Sequence, residues 1–315
     1  MITIGLDVGG TKVLGVAVDP RDPGTILAQH RIPTPDGGAG LVAALGGLVA
    51  VLTGQLGPPS AVGVGVPGIV DGTGTLVLGP HLPHLRRQPL AAQVREHLGL
   101  PAVVDNDANC HAVAEQRAGA ARGAEDALVI TLGTGVGGGI ITGGRLLRGA
   151  HGFAGEPGHM VVDPMGPPCP CGKQGCWERY ASGTGLGRLA LEAAQAGRLE
   201  AVVALAGGDE QAVRGEHVTA AARQGDPAAQ QVLDQLAWWI GLGLANLANL
   251  LDPAVIVLGG GLVEATDVLL EPVRAHFAAL VMGGPSRPET EIVPARLGEE
   301  AGALGAAALA ADLLA

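Results

Sequence analysis

Apolar runs broken by glycine turns recur along the chain and predict pairs of antiparallel strands. Residues 2–8 and 13–19 are strand-like and flank the turn Gly-Gly-Thr-Lys. Residues 128–134 and 140–147 repeat this design around the glycine-rich segment 135–139. A strand that is broken by glycine and then resumes is typical of a hairpin. The two hairpins indicate a weak internal duplication, in which each half of the molecule opens on a glycine hairpin.

Stretches with the helical spacing of apolar residues lie between these strands. They cover residues 40–56, 107–117, 184–196 and 227–251, and a short Ala-rich helix closes the chain. A further strand at 254–258 is followed by three glycines. Strands that alternate with helices predict an α/β protein in two lobes.

Composition narrows the class of protein. Glycine accounts for 53 of 315 residues, but there is no Gly-X-Y period, and 47% of the residues are hydrophobic. A collagen-like chain and a disordered chain are therefore excluded. Since the chain has only two Phe, three Trp and one Tyr, its core must be built from Ala, Val, Leu and Ile.

The charge balance disfavours nucleic acid as a partner. Thirty acidic and 19 basic residues give a net charge of −11, and such a surface repels phosphate backbones. The uncharged stretches are too short or too polar to span a bilayer, and the chain begins in a strand without a leader pattern. We therefore expect a cytoplasmic protein with no membrane partner.

The second glycine turn is a candidate phosphate site. Residues 133–138 match G-x-G-x-x-G, but a strand follows where the dinucleotide fingerprint needs a helix, so a Rossmann site is excluded. Backbone N–H groups in such a turn can still bind phosphate, and Thr134 adds a hydroxyl. An ordinary glycine-rich hairpin is the alternative.

The first glycine turn has the same potential. Gly9 and Gly10 allow phosphate to approach the backbone, Thr11 can donate to it, and Asp7 could hold Mg²⁺ through water. The alternative is a type I′ turn with a solvated Asp. The sequence leaves open whether Lys12 faces phosphate or solvent.

A polar cluster follows the strand at 102–104. Asp105, Asn106 and Asp107 precede a predicted helix, where such side chains most often act as caps. A carboxylate at the end of a strand is also well placed to accept a proton from a substrate hydroxyl. We favour a general base for Asp107 and a cap for Asp105.

Three of the four cysteines lie within eight residues, downstream of a histidine. Cys169, Cys171, Cys176 and His159 would complete a tetrahedral zinc shell with no open position, so the metal would be structural. A disulfide is disfavoured by the expected location and would leave one thiol unpaired. Cys110 stands apart and is typical of a small core residue.

Two glutamates flank this loop. Glu156 and Glu178 are either solvated surface groups or carboxylates that the metal loop holds in place. Together with Asn106 and Asp107, rigid carboxylates would suit the several hydroxyls of a polyol.

Seven motifs follow one another along the chain: Asp7-x-Gly-Gly-Thr-Lys12, Val66-Pro67-Gly68, Asn106-Asp107-Ala108-Asn109, Leu132 to Gly139, Ala154-Gly155-Glu156-x-Gly-His159, Cys169-x-Cys171-Gly172-x-x-Gly-Cys176-x-Glu178 and Gly259-Gly260-Gly261. In this order they resemble the ROK (repressor, open reading frame, kinase) family, and most closely its bacterial glucokinases. The resemblance covers the chain from residue 2 to the closing segment 303–307, and the zinc loop is its most specific part.

The resemblance implies an actin-like ATPase (ribonuclease H-like) fold, with ATP and Mg²⁺ in the cleft between two lobes. The smaller lobe would comprise residues 1–117, completed by a C-terminal helix at about 300–315, and the larger lobe, residues 118–299, would carry the zinc loop. Family habit implies a homo-oligomer, either a dimer or a tetramer.

The resemblance also implies roles for individual residues. Asp107 would be the general base on the 6-hydroxyl of the sugar. The sugar would be held by Gly68, Asn106, Asp107, Glu156, His159 and Glu178. His159 would have one ring nitrogen on zinc and the other toward the sugar. The nucleotide and its Mg²⁺ would lie against Asp7, Gly9, Gly10, Thr11, Lys12, Gly133, Thr134, Gly135, Gly259, Gly260 and Gly261.

Two departures from the family pattern bear on the substrate. The loop at 81–85 reads His-Leu-Pro-His-Leu and lacks the usual Asn and Trp, and Pro157 replaces an aliphatic residue. The expected reaction is ATP-dependent phosphorylation of glucose at O6. Mannose, fructose, N-acetylglucosamine and N-acetylmannosamine remain alternative substrates. A ROK repressor, a non-catalytic sugar sensor and a polyphosphate-dependent kinase are the alternative functions.

Overall fold

Two five-stranded sheets and ten helices make up most of the computed structural model, which describes residues 1–35, 37–79 and 85–315. The strands are β1 (Thr3–Val8), β2 (Lys12–Asp19), β3 (Asp22–Pro33), β4 (Ala61–Val66), β5 (Ile69–Val70), β6 (Leu76–Leu78), β7 (Arg86–Gln88), β8 (Ala102–Asn106), β9 (Ala127–Leu132), β10 (Val136–Thr142), β11 (Arg145–Leu146), β12 (Val255–Gly259) and β13 (Glu291–Pro294). The α-helices are α1 (Gly38–Leu56), α2 (Leu90–Leu98), α3 (Asp107–Ala118), α4 (Glu178–Ala181), α5 (Gly183–Gln195), α6 (Glu200–Leu205), α7 (Gly215–Arg223), α8 (Pro227–Leu251), α9 (Thr266–Leu280) and α10 (Ala301–Asp312).

The two large sheets share one topology. The strand order is β3-β2-β1-β4-β8 in the first sheet and β11-β10-β9-β12-β13 in the second. In each, the first three strands form an antiparallel meander and the last two run parallel to the first strand. The internal duplication predicted from the glycine hairpins is thus confirmed at the level of strand order.

The predicted helices and strands are present with small shifts at their ends, but the second glycine turn is shorter than predicted. Gly137, Gly138 and Gly139 belong to β10 and pair with β9. The reason is packing, since a Cβ on Gly139 would lie 3.0 Å from the Ala108 carbonyl oxygen of α3 and would overlap the Ala112 side chain. These glycines therefore let α3 approach the sheet closely.

The C-terminal helix approaches the first sheet so closely that two strand positions have no room for a side chain. A Cβ on Gly5 of β1 would overlap the Ala303 carbonyl, and one on Gly63 of β4 would overlap the Ala306 carbonyl. Every residue of α10 from Ala301 to Ala310 is buried. The last helix therefore returns to the sheet that contains β1.

The parallel strands place their carboxyl ends at one edge of each sheet. In the first sheet Asp7, Gly65 and Asp105 are in register. In the second sheet Gly259 pairs with Thr131. Side chains and turns that follow these strands therefore gather at two edges. None of the helices in the described part of the chain could cross a membrane.

Candidate active site

Three neighbouring polar residues at the end of β8 have different roles. Asn106 is the N-cap of α3, since its side chain accepts a hydrogen bond from the Asn109 backbone N–H at 3.0 Å. Its Nδ2 also donates to the Gly68 carbonyl at 3.0 Å. Gly68 has φ of 122°, and a Cβ there would overlap the Leu78 carbonyl, so glycine is required. Asn106 therefore joins the Val-Pro-Gly segment to the start of α3.

The expectation that Asp105 is a cap is wrong. Asp105 is 4% exposed, and its Oδ2 accepts a hydrogen bond from Nε of Arg148 at 2.7 Å. Its Oδ1 accepts from Nδ2 of Asn109 at 2.8 Å. The N-cap is Asn106 instead, and the buried Asp105 carboxylate is held by the Arg148 and Asn109 side chains. The sequence offered no sign of Arg148 as the partner, because the two lie 43 residues apart.

Asp107 is the first residue of α3, and its Oδ1 accepts the Ala108 backbone N–H at 2.8 Å. Burial raises the pKa of Asp7, at the end of β1, to about 6. His111 and Lys12 oppose this rise, whereas the Asp107 carboxylate adds to it. Asp7 and Asp107 are thus electrostatic neighbours, and a cation between them would relieve the cost of two ionised carboxylates.

The first glycine turn closes between the strands that flank it. The Gly9 N–H donates to the Lys12 carbonyl at 2.8 Å, and Thr34 Oγ1 donates to the Gly9 carbonyl at 2.7 Å. Gly10 and Thr11 are exposed at its tip. Lys12, whose direction the sequence left open, forms an exposed ion pair with Glu299 at 2.9 Å.

The second turn lies beside the glycines that follow β12. Gly133 N–H donates to the Gly135 carbonyl at 3.0 Å, and Thr184 Oγ1 donates to the Thr134 carbonyl at 2.6 Å. Gly260 has φ of 83° and its Cα faces the Leu132 backbone, against which any Cβ would clash. Gly259 ends β12, and Gly261 begins a short 3₁₀ helix with open space beside it. The structure brings both predicted nucleotide segments of this sheet together.

The four predicted zinc ligands form one cluster. His159, Cys169, Cys171 and Cys176 each offer a donor atom, and these atoms all lie within 4.8 Å of one another. The Cys171 and Cys176 sulfurs are 3.5 Å apart, and the Cys169 sulfur is 3.8 Å from His159 Nδ1. Tetrahedral ligands about 2.3 Å from zinc would be separated by about 3.8 Å, so the donor set fits a closed structural site.

The loop that carries these thiols is anchored to the protein core. Trp177, directly after Cys176, is fully buried, and its Nε1 donates to the Trp239 carbonyl of α8 at 2.7 Å. Gly175 has φ of 67°, and a Cβ there would overlap the Asp163 carbonyl. Both features fix the position at which α4 begins.

The two glutamates lie on either side of His159. Its Nε2 is 4.0 Å from Glu156 Oε2, and its Nδ1 is 3.7 Å from Glu178 Oε1. His159 therefore presents one ring nitrogen to the thiols and Glu178, and the other toward Glu156. Burial raises the pKa of Glu156; His159 opposes this rise, and the Asp107 and Glu178 carboxylates add to it.

Asp107 follows the last strand of the first sheet and Glu156 follows β11 of the second, yet the Asp107 carboxylate adds to the rise in the pKa of Glu156. Glu178 also lies against the second glycine turn, since a Cβ on Gly135 would be 2.8 Å from its Oε2. A predicted sugar-binding residue, Glu178, therefore lies beside a predicted nucleotide-binding residue, Gly135. Of the two departures from the family pattern, the loop at 81–84 lies outside the described residues. The other, Pro157, packs over Gly138 of β10.

Comparison with known proteins identifies the family. A profile of the ROK family matches residues 3–313. The glucokinase of Streptomyces coelicolor is 42% identical over 315 residues, which cover 99% of this chain and 98% of the relative. A ROK family glucokinase from Streptomyces griseus, solved with glucose and AMPPNP, is 42% identical with a TM-score of 0.85 and covers 99% of this chain and 100% of its own. The ROK hexokinase of Thermus thermophilus is 35% identical with a TM-score of 0.82 and covers 100% of this chain and 99% of its own. The chain therefore belongs to the ROK family and has the actin-like ATPase fold that its sequence motifs implied.

Proposed function

We propose that this chain transfers the γ-phosphoryl group of ATP to the 6-hydroxyl of glucose, giving glucose 6-phosphate and ADP. The chain is an ATP-dependent sugar kinase, as its glucokinase relatives and the glucose and AMPPNP complex of a 42% identical neighbour support. The observation that carries the finer proposal is the grouping of Asp107, Glu156, His159 and Glu178 beside the second glycine turn.

In this proposal Asp107 accepts the proton of the sugar's 6-hydroxyl while the oxygen of that hydroxyl attacks the γ-phosphorus of ATP. The bond from that phosphorus to the bridging oxygen breaks, and ADP leaves. Asn106 and Gly68, which are hydrogen-bonded to each other, would orient the sugar beside the base. Glu156, His159 and Glu178 would accept and donate hydrogen bonds to the other hydroxyls.

The backbone of the two glycine turns would hold the phosphates, with Thr11 and Thr134 as hydroxyl donors. Gly259, Gly260 and Gly261 would lie against the rest of the nucleotide. Mg²⁺, when bound, would neutralise charge on the transferred phosphoryl group, and Asp7 is the carboxylate placed to hold it through water. Because Lys12 is paired with Glu299, phosphate contact by Lys12 would require this exposed ion pair to open.

The test is a coupled ADP-release assay over glucose, mannose, fructose and the N-acetylhexosamines. We expect the highest kcat/KM with glucose. Turnover of another hexose in preference to glucose would contradict the substrate, and no turnover with any sugar would exclude the kinase function. Identification of the product as the 6-phosphate, by NMR, would test the position of transfer.

Three broader features belong to the same proposal. Residues 1–117 with 300–315 would move as one lobe and residues 118–299 as the other. The enzyme would act in the cytoplasm, where ATP and hexoses meet in glycolysis. It would assemble as a dimer or tetramer, which light scattering on the purified chain would test.

A further inference from the structure

The chain passes between the two sheets at two places, and one buried side chain contacts both of them. The first crossing, residues 119–126, leads from α3 to β9, and the second, residues 295–300, leads from β13 to α10. Glu115, in the last turn of α3, is 1% exposed. It was not among the residues that the sequence singled out.

The carboxylate of Glu115 binds backbone N–H groups of each crossing. Its Oε2 accepts a hydrogen bond from Ala120 N–H at 2.6 Å. Its Oε1 accepts from Arg296 N–H and Leu297 N–H, both at 3.0 Å. Among the described ion pairs none involves Glu115, so these three N–H groups carry the stabilisation of the buried charge.

The surroundings of this carboxylate allow it little movement. A Cβ on Gly119 would overlap Glu115 Oε2, so the first residue of the first crossing must be glycine while this side chain keeps its position. The Glu115 backbone carbonyl accepts Gly119 N–H at 3.0 Å and Ala121 N–H at 3.1 Å. Backbone and side chain of one residue thus hold the same short segment.

The helix that ends near Glu115 begins at the proposed base. Eight residues separate Asp107 from Glu115, which is about 12 Å along a helix axis. α3 packs against α10 and against the second sheet, since Gly305 of α10 lies against the Cys110 carbonyl and Gly139 of β10 lies against Ala112. A change in how the crossings attach to α3 would therefore shift Asp107 relative to the second sheet.

We propose that Glu115 is a positioning residue for phosphoryl transfer: it fixes both chain crossings to the helix that carries Asp107 and so sets the orientation in which the two lobes close. This inference rests on the proposed function, because Asp107 from one side and Glu156 from the other must meet the same sugar. Lobe closure is usually absorbed by a few loop or element-terminal residues, and both crossings are segments of this kind.

The test compares Glu115→Gln and Glu115→Ala with Val113→Ala. Val113 is on the same helix and is 4% exposed, but it packs on α10 and lies away from the crossings. Glutamine keeps one acceptor oxygen and places an NH₂ group against at least one backbone donor, whereas alanine removes all three hydrogen bonds. Thermal unfolding of each variant establishes whether their losses of stability are comparable.

We expect Glu115→Gln to lower kcat about tenfold and Glu115→Ala to lower it further, since hydrogen bonds to a charged group are lost. Hydrogen exchange in ligand-free protein should accelerate at Ala120, Arg296 and Leu297. Small-angle scattering should show a smaller sugar-induced compaction in both variants. Val113→Ala should keep kcat, exchange at these amides and compaction at wild-type values.

The proposal is wrong if Glu115→Gln and Val113→Ala lose the same Tm and also have the same kcat and the same hydrogen exchange at the three amides. Glu115 would then be only structural. Should Glu115→Ala fail to fold, Glu115→Gln decides the question alone. A wild-type enzyme without turnover on any hexose would overturn the proposed function and the link to phosphoryl transfer. The exchange comparison, made without ligand, separately decides whether Glu115 holds the crossings.

Discussion

At the scale of single residues, three adjacent side chains at the end of β8 have three different environments. Asn106 caps α3, Asp105 pairs with Arg148 inside the protein, and Asp107 opens the helix beside Asp7. The sequence predicted that this segment carries a cap and a base. It did not show which residue caps, because that depends on the backbone turning between positions 105 and 107.

The role of Asp107 can be tested by Asp107→Asn. The amide keeps the size of the side chain but cannot accept the proton of the sugar hydroxyl, so kcat should fall by roughly 10²-fold or more. Zinc content by elemental analysis and sugar affinity by calorimetry should stay near wild type. Near-normal turnover would exclude Asp107 as the base.

The raised pKa of Asp7 predicts a pH-dependent stability. Burial places the folded-state pKa at about 6, above its ordinary value of 3.8. The folded chain therefore binds a proton that the unfolded chain does not between about pH 4 and pH 6. The contribution of Asp7 to stability is present below this window, declines as the pH rises through it and stays lost above it.

Asp7→Asn should therefore raise the Tm of the ligand-free protein at pH 7.5 in EDTA and leave it nearly unchanged at pH 4. The same variant should lose most of its ADP-release activity, because the carboxylate proposed for Mg²⁺ is absent. Chemical denaturation at several pH values provides the measurement. If Asp7→Asn changed the stability equally at pH 4 and pH 7.5, the ionised Asp7 carboxylate would not be destabilising and the prediction would be wrong.

At the scale of elements, glycines determine how closely helices approach sheets. Gly63 of β4 has no room for a Cβ because of the Ala306 carbonyl, whereas Gly47 of α1 is exposed with nothing within 4 Å of such an atom. We expect Gly63→Ala to lower the free energy of unfolding by about 3 kcal/mol or more. Gly47→Ala should raise it by about 0.5–1 kcal/mol. Urea unfolding of both variants measures these two changes in the free energy of unfolding. Equal changes in the two variants would contradict the prediction.

The loop that carries Cys169, Cys171 and Cys176 holds two predicted sugar-binding side chains, because His159 and Glu178 both contact its thiols. Elemental analysis should give about one zinc per chain. Cys171→Ser should lose the metal and most activity, because the loop no longer holds the sugar-binding side chains in place. Lys173→Ala, an exposed change in the same loop, should retain both. A metal-free protein with full activity would refute the structural role of zinc.

The sequence predicted elements best where apolar spacing is strong. The predicted helix at 227–251 matches α8 at both ends, because Asp226 caps it and Asp252 takes a left-handed conformation at its end. Strand β3 was not predicted, since most of its residues are exposed or half-buried and show no apolar alternation. Helix α9 was also missed, and Pro272 lies inside it.

At the scale of the whole molecule, the candidate site draws its residues from two parts of the chain whose sheets have separate cores. Residues in contiguous motifs could be predicted, since glycine turns and cysteine spacing are visible in one sequence. Contacts between distant segments could not. The pair of Asp105 with Arg148 and the bonds of Glu115 to Arg296 and Leu297 depend on the folded chain.

A sugar that bridges both lobes should stabilise the whole chain. At about 100 times its Kd, glucose should add about 2.7 kcal/mol to the free energy of unfolding. Differential scanning calorimetry with and without glucose tests this, and a hexose that the assay shows not to be a substrate serves as the control. No change in Tm with saturating glucose would contradict binding in the cleft.

The shared strand order makes the turn between β1 and β2 the counterpart of the turn between β9 and β10. Gly9 to Thr11 and Gly133 to Gly135 are then equivalent positions of one repeated half. In the proposed enzyme the triphosphate would therefore be bound by the same turn of each half, so that the phosphate contacts, like the strands, would come in two matching sets.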